Sequence, residues 1–532
     1  MSPEGKQAEQ VAETAAEERK KMAGRAGVVA LGTFASRALG FARDVVLAAL
    51  FTREVTDAFF VAFTIPNALR QILGEGAVAS AVMPVLGKKL EEGDAPARRF
   101  FARIRGVSLV VLTLVSLAGV LLAEPLTELF ASGAHAHPGQ FERTTALTRT
   151  VFPYIFFMGI AALGMAALNA KRRFAVAAFA PGLLNVAFLA AAFLLVDPLR
   201  ARGIDGAQAL AIGALVGGFL QVVAQVPALR SVGFAGTPIL DLKDPGVRDV
   251  LRRLGPMTFG IGVYYIDVVL SRRLLSELGT GAQSWFTWAQ RLADFPQGLF
   301  VMAISSAALP ALATLAARGD TAEMKKTWAH GLGLSLYVAV PCSVALMSLG
   351  EPLVALFFQR GAFDRTSTVE TARALFWQGG AIFTVAAVRQ TVPVFYALGD
   401  TRTPTLVSAL DLLVFVAMAI GLRGAHGHVA VSMAIAGSSA AQLALLLVFL
   451  RAKIGPLGGR AIVGAFLGTV AASTVAGVGA WAVTRILSGV PAWGQGILGG
   501  VAFVVLFVVA AWGLRVPEQE TLLAAVGRRI RR

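Results

Sequence analysis

The amino-acid sequence predicts an all-α integral membrane protein, and three observations support this class: composition, the length of its apolar segments and the distribution of charge. Of the 532 residues, 56% are hydrophobic and only 15% are charged, and the mean hydropathy is +0.69. A water-soluble protein of this size needs far more charge to cover its surface. The composition therefore excludes a soluble enzyme, a disordered chain and a secreted disulfide scaffold.

Apolar segments long enough to span a bilayer core, about 20 residues each, recur along the chain after residue 25. Residues 1–25 are polar, contain no apolar signal-peptide core and predict a cytoplasmic tail. We count 14 transmembrane helices, near 26–51, 57–86, 105–123, 146–170, 175–196, 207–229, 250–274, 283–316, 328–349, 371–398, 404–422, 428–450, 461–484 and 494–514. Because this number is even, both termini are predicted to lie on the same side of the membrane.

The distribution of basic residues orients these helices. The chain has 48 Lys and Arg against 32 Asp and Glu, a formal net charge of +16. With the N-terminus inside, 31 of the 48 basic residues fall on the inner side, 12 on the outer side and five within helices. This excess follows the positive-inside rule and predicts that both termini are cytoplasmic. Since the basic residues are scattered between apolar runs, no nucleic-acid partner is predicted.

An internal repeat organises the first twelve helices. Residues 76–94 align with 302–320 and share the pairs Ser80/Ser306, Pro84/Pro310, Gly93/Gly319 and Asp94/Asp320. Two further matches follow in order, 124–134 with 351–362 and 167–174 with 397–404. Ala-rich helices can match by composition alone, but shared Pro and Gly-Asp positions are not generic apolar choices.

The repeat offset spans six helices, so both copies enter the membrane in the same direction. It predicts two six-helix lobes related by a parallel repeat: an N-lobe over 26–230 and a C-lobe over 231–453. Residues 454–532 then hold two extra C-terminal helices and a basic C-terminal tail. Transporters with such repeats place the substrate site between them.

The first predicted helix carries charges on one face. At 100° per residue, Ser36, Arg37, Gly40, Arg43 and Asp44 occupy an arc of about 120°. Ionisable residues within a membrane usually face an interior cavity. Gly40 is expected to permit a bend or a close backbone approach. Alternatively, Arg37 and Asp44, one heptad apart, neutralise each other and leave Arg43 unpaired.

The second predicted helix combines charge with helix-breaking residues. Pro66 removes a backbone hydrogen bond in a segment that also carries Asp57, Arg70 and Glu75. A broken helix with ionisable residues is expected only where it lines a cavity. The segment is therefore a second candidate wall of the substrate site.

The matching helix of the second half places Arg291 and Asp294 three residues apart, just before a proline. An Arg–Asp pair at this spacing can also satisfy itself. Taken together, Arg37, Arg43, Arg70 and Arg291 predict a cationic cavity. Because arginine stays charged and binds phosphate oxygens in a bidentate manner, diphosphate is the natural ligand.

Coupling to an ion or to the membrane potential is the remaining mechanistic question. Asp267 and Asp411 fall within predicted helices and form a candidate Na⁺ or H⁺ site, completed by backbone carbonyls. The alternative is that they are paired or loop-facing carboxylates. No cofactor, metal-binding motif, nucleotide-binding motif or catalytic nucleophile is recognised, so a transporter rather than an enzyme is predicted.

Four segments resemble the MurJ (MviN) lipid II flippases, members of the multidrug/oligosaccharidyl-lipid/polysaccharide exporter superfamily. They are SRALGFARD (36–44), TDAFFVAFTIPNALR (56–70), GEGAVASAVMP (74–84) and AQRLADFPQG (289–298). The resemblance runs from about residue 26 over nearly the whole chain. It implies that undecaprenyl-diphosphate-linked peptidoglycan precursor, lipid II, is flipped from the inner to the outer leaflet of the bacterial cytoplasmic (inner) membrane by alternating access.

The resemblance also assigns roles to residues. The functional arginines and acids of the family correspond to Arg37, Arg43, Asp44, Asp57, Arg70 and Arg291, all present here. The last two helices are implied to form a groove for the undecaprenyl tail. Two alternatives stay open: a multidrug or polysaccharide-lipid exporter of the same superfamily, and a scaffold that recruits cell-wall synthesis machinery. Four interior arginines argue against the export of cationic drugs.

Overall fold

The computed structural model describes residues 31–70, 77–298 and 302–520, which form helices joined by turns and contain no β-strand. Within these ranges, nine helices are long and apolar enough to cross a membrane by length and composition. The predicted all-α, multi-pass membrane class is confirmed. The polar tail predicted over 1–25 lies outside the described residues, as does Glu75.

The first compact unit contains the described residues up to Phe51 and residues 58–269. Its helices are α1 (31–50), most of α2 (Arg53–Arg70), α3 (Ala77–Glu91), α4 (Asp94–Leu121), α5 (Ala123–Ala131), α6 (Gln140–Val151), α7 (Tyr154–Ala170), α8 (Phe174–Leu194), α9 (Val196–Ala201), α10 (Gln208–Ser231) and most of α11 (Pro245–Ser276). One of its cores packs Phe100, Phe101 and Ile104 of α4 against Phe234. Burial of these large side chains stabilises the end of the unit where α4 begins.

The second compact unit contains residues 52–57 and the described residues from 270 onward. Its helices are α12 (Ala282–Pro296), α13 (Met302–Ala317), α14 (Thr321–Ser348), α15 (Gly350–Phe358), α16 (Arg365–Gly380), α17 (Ile382–Ala397), α18 (Arg402–His426), α19 (Val429–Ile454), α20 (Gly459–Ile486) and α21 (Ala492–Gly513). A core of Leu336, Val340, Phe395 and Leu446 joins α14, α17 and α19. The predicted lobe boundary after residue 230 comes from the internal repeat, whereas the two compact units are defined by packing and meet at residues 269 and 270. The lobe boundary stays a prediction.

The helix order repeats at nearly the offset found in the sequence. The pair α4 and α5 begins at residues 94 and 123, and the pair α14 and α15 begins at 321 and 350. Gly93 and Gly319, which precede α4 and α14, both have positive φ, 122° and 70°. A left-handed backbone favours glycine over any residue with a Cβ. The backbone conformation therefore explains why both copies of the repeat have glycine at this position.

Apolar residues cover much of the exposed surface of the long helices. Only 17% of the most apolar stretch of α18 is buried, and α21 exposes Val501, Val504 and Val508. In water such continuous apolar faces would be unfavourable, whereas acyl chains solvate them well. The exposed faces are those expected of helices that contact lipid.

Candidate functional site

The polar face of α1 is held by an ion pair between neighbouring residues. The Arg43 guanidinium donates two hydrogen bonds to Asp44 Oδ1, from Nε at 2.9 Å and from Nη2 at 2.6 Å. Asp44 is buried, at 3% exposure, and the Arg43 side chain is 13% exposed. Because both charges are largely removed from water, the pair depends on these direct contacts. Asp44 therefore neutralises Arg43, and the alternative pairing of Asp44 with Arg37 is wrong.

Residues of α8 complete the surroundings of this ion pair. Asn185 Oδ1 accepts a hydrogen bond from Arg43 Nη1 at 3.0 Å, and Asn185 Nδ2 donates to the backbone oxygen of Ser36 at 3.0 Å. The Phe188 ring lies 5.2 Å from Arg43 Cζ, within the range of a cation–π contact. Sequence reasoning missed both α8 residues. The only signal was a single Asn in an otherwise apolar helix.

Gly40 does not have the predicted conformational role. Helix α1 runs without interruption from 31 to 50, so it does not bend out of helical geometry at Gly40. A Cβ added there would lie 3.5 Å from Asn185 Nδ2, an ordinary van der Waals distance. The close approach occurs instead at Gly32, where an added Cβ would lie 2.8 Å from Ala178 Cβ and 2.9 Å from Ala178 O. Close packing of α1 on α8 thus depends on Gly32.

A cavity of about 970 Å³ opens in the first unit at the start of α1. We call it the Arg37 cavity. Its polar lining residues include Thr33, Ser36, Arg37, Asn169 and Arg172, and its apolar lining residues include Met83, Leu90, Met165, Phe174 and Pro181. No acidic residue is among the described residues that line it. The cavity therefore presents two permanent positive charges beside an apolar wall.

Arg37 is the sequence-predicted residue best placed to bind a ligand in this cavity. Its side chain is exposed, and no carboxylate of the described residues forms an ion pair with it. Arg43 and Asp44 do not line the cavity and lie farther along α1. Ser36 contributes to the cavity and also accepts the hydrogen bond from Asn185. The arc predicted on α1 thus divides into a buried ion pair and an open cationic group.

Arg172 is a cavity residue that is not among the candidates predicted from the sequence. It follows the end of α7 and has a φ of 58°, a left-handed conformation uncommon for a residue with a Cβ. Its backbone N–H donates to Asn169 O at 3.0 Å, which closes the helix end. Glycine is the usual residue at such a position. The run of three basic residues over 171–173 was the available signal.

The remaining predicted site residues lie on other helices. Arg70 ends α2, is half-buried and donates from Nε to Asn67 Oδ1 at 2.9 Å. In the second unit, Arg291 is half-buried and Asp294 is exposed, both on α12. Neither Arg70 nor Arg291 is among the residues that line the Arg37 cavity. Of the three predicted arginines of the first unit, Arg37 lines the cavity and Arg43 and Arg70 do not, and the convergence of all four arginines on one ligand stays a prediction.

Asp57 caps the N-terminus of α12. Its Oδ2 accepts from the Gly281 backbone N–H at 2.5 Å, and its Oδ1 accepts from the Ser284 backbone N–H at 2.8 Å and from Ser284 Oγ at 2.5 Å. Asp57 is 6% exposed. Helix N-termini leave backbone N–H groups without partners and favour a negative charge. Asp57 therefore positions α12. The sequence predicted Asp57 as a substrate-site residue and did not predict this structural role.

Replacing Asp57 by alanine is expected to lower the stability of the purified protein, because a lost N-cap costs about 0.5–2 kcal/mol. Ser284→Ala keeps both backbone N–H donors to Asp57 and removes the Ser284 hydroxyl, which contacts Asp57 and also Thr56 Oγ1 at 2.6 Å, so we expect a cost of about 0.5–1.5 kcal/mol for each lost hydrogen bond. Asp364→Ala is a matched control, since Asp364 caps the exposed start of α16 through the Ser367 N–H at 2.7 Å. Thermal unfolding in detergent measures all three variants. An unchanged melting temperature for Asp57→Ala would contradict the capping role.

The candidate cation site was predicted from two acids, Asp267 and Asp411. Asp267 and Asp411 are both half-buried, and they belong to different compact units. Among residues 31–70, 77–298 and 302–520, no group of three or more His, Cys, Asp or Glu side chains could hold a metal ion. Coordination by these two acids and backbone carbonyls stays a prediction.

Comparison with solved structures shows the fold. A lipid II flippase MurJ in an inward closed conformation superimposes with a TM-score of 0.73 at 20% identity, covering 91% of this chain and 97% of the other. An inward-facing multidrug resistance MATE transporter of the MOP superfamily gives a TM-score of 0.67 at 13% identity, covering 80% and 96%. At these identities the matches establish a common architecture only.

Comparison of sequences shows the family. The lipid II flippase MurJ of Burkholderia cenocepacia is 33% identical over 434 residues, 79% of this chain and 82% of the relative. The probable lipid II flippase MurJ of Vibrio cholerae is 32% identical over 79% of this chain and 81% of its own length. A family model described as lipid II flippase MurJ matches residues 46–498. Since this match covers most of the chain, the protein belongs to the MurJ family.

Proposed function

We propose that this protein is a lipid II flippase that moves undecaprenyl-diphosphate-linked peptidoglycan precursor from the inner to the outer leaflet of the bacterial cytoplasmic membrane. The family match carries this proposal, because the relative from Burkholderia cenocepacia is named for that activity. The Arg37 cavity supports it with two arginines and no acid among the described lining residues. Its ligand is therefore an anion attached to apolar groups.

The proposed architecture has 14 transmembrane helices in two six-helix lobes related by a parallel repeat, with two further helices at the C-terminal end. Within the described ranges, nine helices qualify by length and composition. The other five segments are α1, α2 with α3, α11, α12 with α13, and α16 with α17. Both termini are cytoplasmic in this proposal, as the excess of basic residues on the inner side predicts. Alternating access between the lobes carries the substrate across.

The diphosphate of lipid II binds to the Arg37 cavity in this mechanism. A guanidinium group matches two phosphate oxygens in a planar, bidentate contact. Arg37 is open to such a contact because no described carboxylate pairs with it, whereas Arg43 is engaged by Asp44 and Asn185. Arg172 has a positive φ of 58°, a backbone conformation that is unfavourable for residues with a Cβ. Backbone strain of this kind often occurs at functional residues. The apolar wall accommodates the first part of the undecaprenyl chain.

The membrane potential drives outward movement in this proposal. The diphosphate carries about two negative charges and the cytoplasm is electrically negative. Moving each full charge outward then gains about 2.3 kcal/mol per 100 mV. Movement of the bound arginines with the substrate would cancel part of this gain. Coupling to Na⁺ or H⁺ through Asp267 and Asp411 is the competing energy source.

Reconstituted vesicles test both parts of the proposal. Purified protein, lipid II and a potassium diffusion potential of either sign are combined, and lipid II on the outer face is measured with an impermeant label. We expect transfer only in vesicles with protein, several-fold faster when the potential favours movement of the anion. A transfer rate that does not change with the potential would contradict only the proposal that the membrane potential drives transfer. No lipid II transfer together with export of a cationic dye would favour a multidrug exporter.

A scaffold for cell-wall synthesis machinery predicts a different result. It would support growth of depleted cells but move no lipid II in vesicles. If the unaltered protein restores growth of depleted cells but transfers no lipid II in the vesicles, the flippase proposal is overturned.

A further inference from the structure

A second cavity, of about 630 Å³, lies in the second unit. It forms where α14, α18 and α20 end and where α15, α16 and α21 begin. None of the sequence-predicted site residues lines it. The orientation predicted from basic residues places this end of the helices on the outer side of the membrane. We call it the Arg485 cavity.

Positive charge dominates the lining of this cavity. Arg365, Arg373 and Arg485 line it, whereas Glu351 is the one carboxylate among its described lining residues. Arg365 forms an ion pair with Glu351, and Arg373 pairs with Glu370 at 2.8 Å. No carboxylate of the described residues lies within ion-pair distance of Arg485. One guanidinium therefore remains with an uncompensated charge at the cavity wall.

Aromatic and apolar groups continue from this charge along α20. The Trp481 ring lies 5.2 Å from Arg485 Cζ, and Trp481 is 48% exposed. Trp481 and Val478 precede Arg485 by four and seven residues, so the three side chains share one helix face. Val478 is 62% exposed. Tryptophan is enriched where the headgroups of a bilayer meet its acyl chains, so a cation lies at headgroup level and an apolar strip lies below it.

We propose that the Arg485 cavity binds the phosphate of an anionic phospholipid whose acyl chains lie along Val478 and the apolar face of α20. A soluble anion would use the cation alone, whereas a lipid uses both the cation and the apolar strip. Arginine binds a phosphodiester through two parallel N–H donors. An anionic lipid is preferred over a zwitterionic one because no carboxylate of residues 31–70, 77–298 or 302–520 forms an ion pair that balances the charge of Arg485.

Lipid binding to the purified full-length protein tests this site. Phosphatidylglycerol and phosphatidylcholine are added separately to delipidated protein, and bound lipid is counted by native mass spectrometry. We expect phosphatidylglycerol to bind at least about ten-fold more tightly than phosphatidylcholine. Arg485→Gln should lose most of that preference, as the loss of a charged hydrogen bond predicts. Arg485→Lys keeps the charge and should retain a large part of the preference.

Arg360→Gln is the matched control, because Arg360 is exposed beyond the end of α15 and does not line the cavity. It should bind phosphatidylglycerol like the unaltered protein. Equal lipid preference in Arg485→Gln, or an equal loss in the control, would overturn the site. Glycerol 3-phosphate that competes as strongly as the intact lipid would show a soluble-phosphate site and overturn the lipid assignment. Lipid II transfer does not enter this measurement, so its outcome is separate from the proposed function.

Discussion

Replacing Arg37 by alanine is expected to abolish growth of cells that depend on this protein, while the protein inserts and accumulates normally. Arg37 is exposed in its cavity and has no ion pair among the described residues, so its removal leaves no buried charge uncompensated. The variant is expected to lose affinity for the substrate rather than stability. One charge-assisted contact to the diphosphate contributes about 1.5–3 kcal/mol, which corresponds to about 10- to 150-fold weaker binding.

Related variants distinguish bidentate binding of the diphosphate from the effect of positive charge alone. Arg37→Lys keeps the positive charge but loses the planar fork, so partial growth is expected at best. Arg172→Ala should weaken growth in the same direction, because Arg172 lines the same cavity. Arg99→Ala is the control: it removes an exposed arginine of the same unit that lies outside the cavity lining. Growth and membrane protein level are measured together, and normal growth of a well-expressed Arg37→Ala variant would contradict the anion-binding role.

Replacing Arg43 by alanine is expected to unfold or deplete the protein, a different failure from that of Arg37. Asp44 is 3% exposed, and its Oδ1 accepts two hydrogen bonds from the Arg43 guanidinium. Removing one partner of a buried ion pair costs about 3–5 kcal/mol, because the other charge stays buried. That loss is a large fraction of the free energy of unfolding of a typical domain, about 5–15 kcal/mol. Low protein level and a lowered melting temperature are therefore expected.

The double variant Arg43→Ala with Asp44→Asn distinguishes a structural role from a substrate contact. Removing both charges should restore much of the stability, since no buried charge is left unbalanced. If growth also returns, Arg43 acts only through packing; if stability returns without growth, Arg43 contacts the substrate. Arg143→Ala is the matched control, because it breaks a more exposed pair, Arg143 Nε to Asp205 Oδ2 at 2.6 Å. Its expected cost is below about 1 kcal/mol.

Helical periodicity correctly placed the polar residues of α1 on one face, but it could not choose their partners. Arg37, Arg43 and Asp44 lie within one arc by angle alone, and two pairings were compatible with that arc. The choice depends on α8, whose Asn185 and Phe188 hold the Arg43 guanidinium beside Asp44. Asn185 is 142 residues from Arg43, so no local pattern could reveal the contact.

The role of Asp57 shows the same limit over a larger separation. Its partner Ser284 is 227 residues away, close to the offset of the internal repeat. The acid was recognised as a charge within a predicted membrane segment, and that reasoning favours a cavity. In the structure three hydrogen bonds to the start of α12 occupy both of its oxygens. A buried carboxylate with this many donors serves the fold as well as any substrate.

The sequence by itself determined the membrane class, the helical secondary structure, the family and the repeated order of helices. These follow from local properties, because an apolar segment in a bilayer must satisfy its own backbone hydrogen bonds and the shared Pro and Gly-Asp positions mark the repeat in the sequence itself. Only the tertiary structure decided which charges neutralise each other, that Arg172 shares a cavity with Arg37, and that no carboxylate in the described part of the chain pairs with Arg485. The physical reason is that periodicity assigns a residue to a helix face, whereas its electrostatic environment is set by whichever distant helix packs on that face.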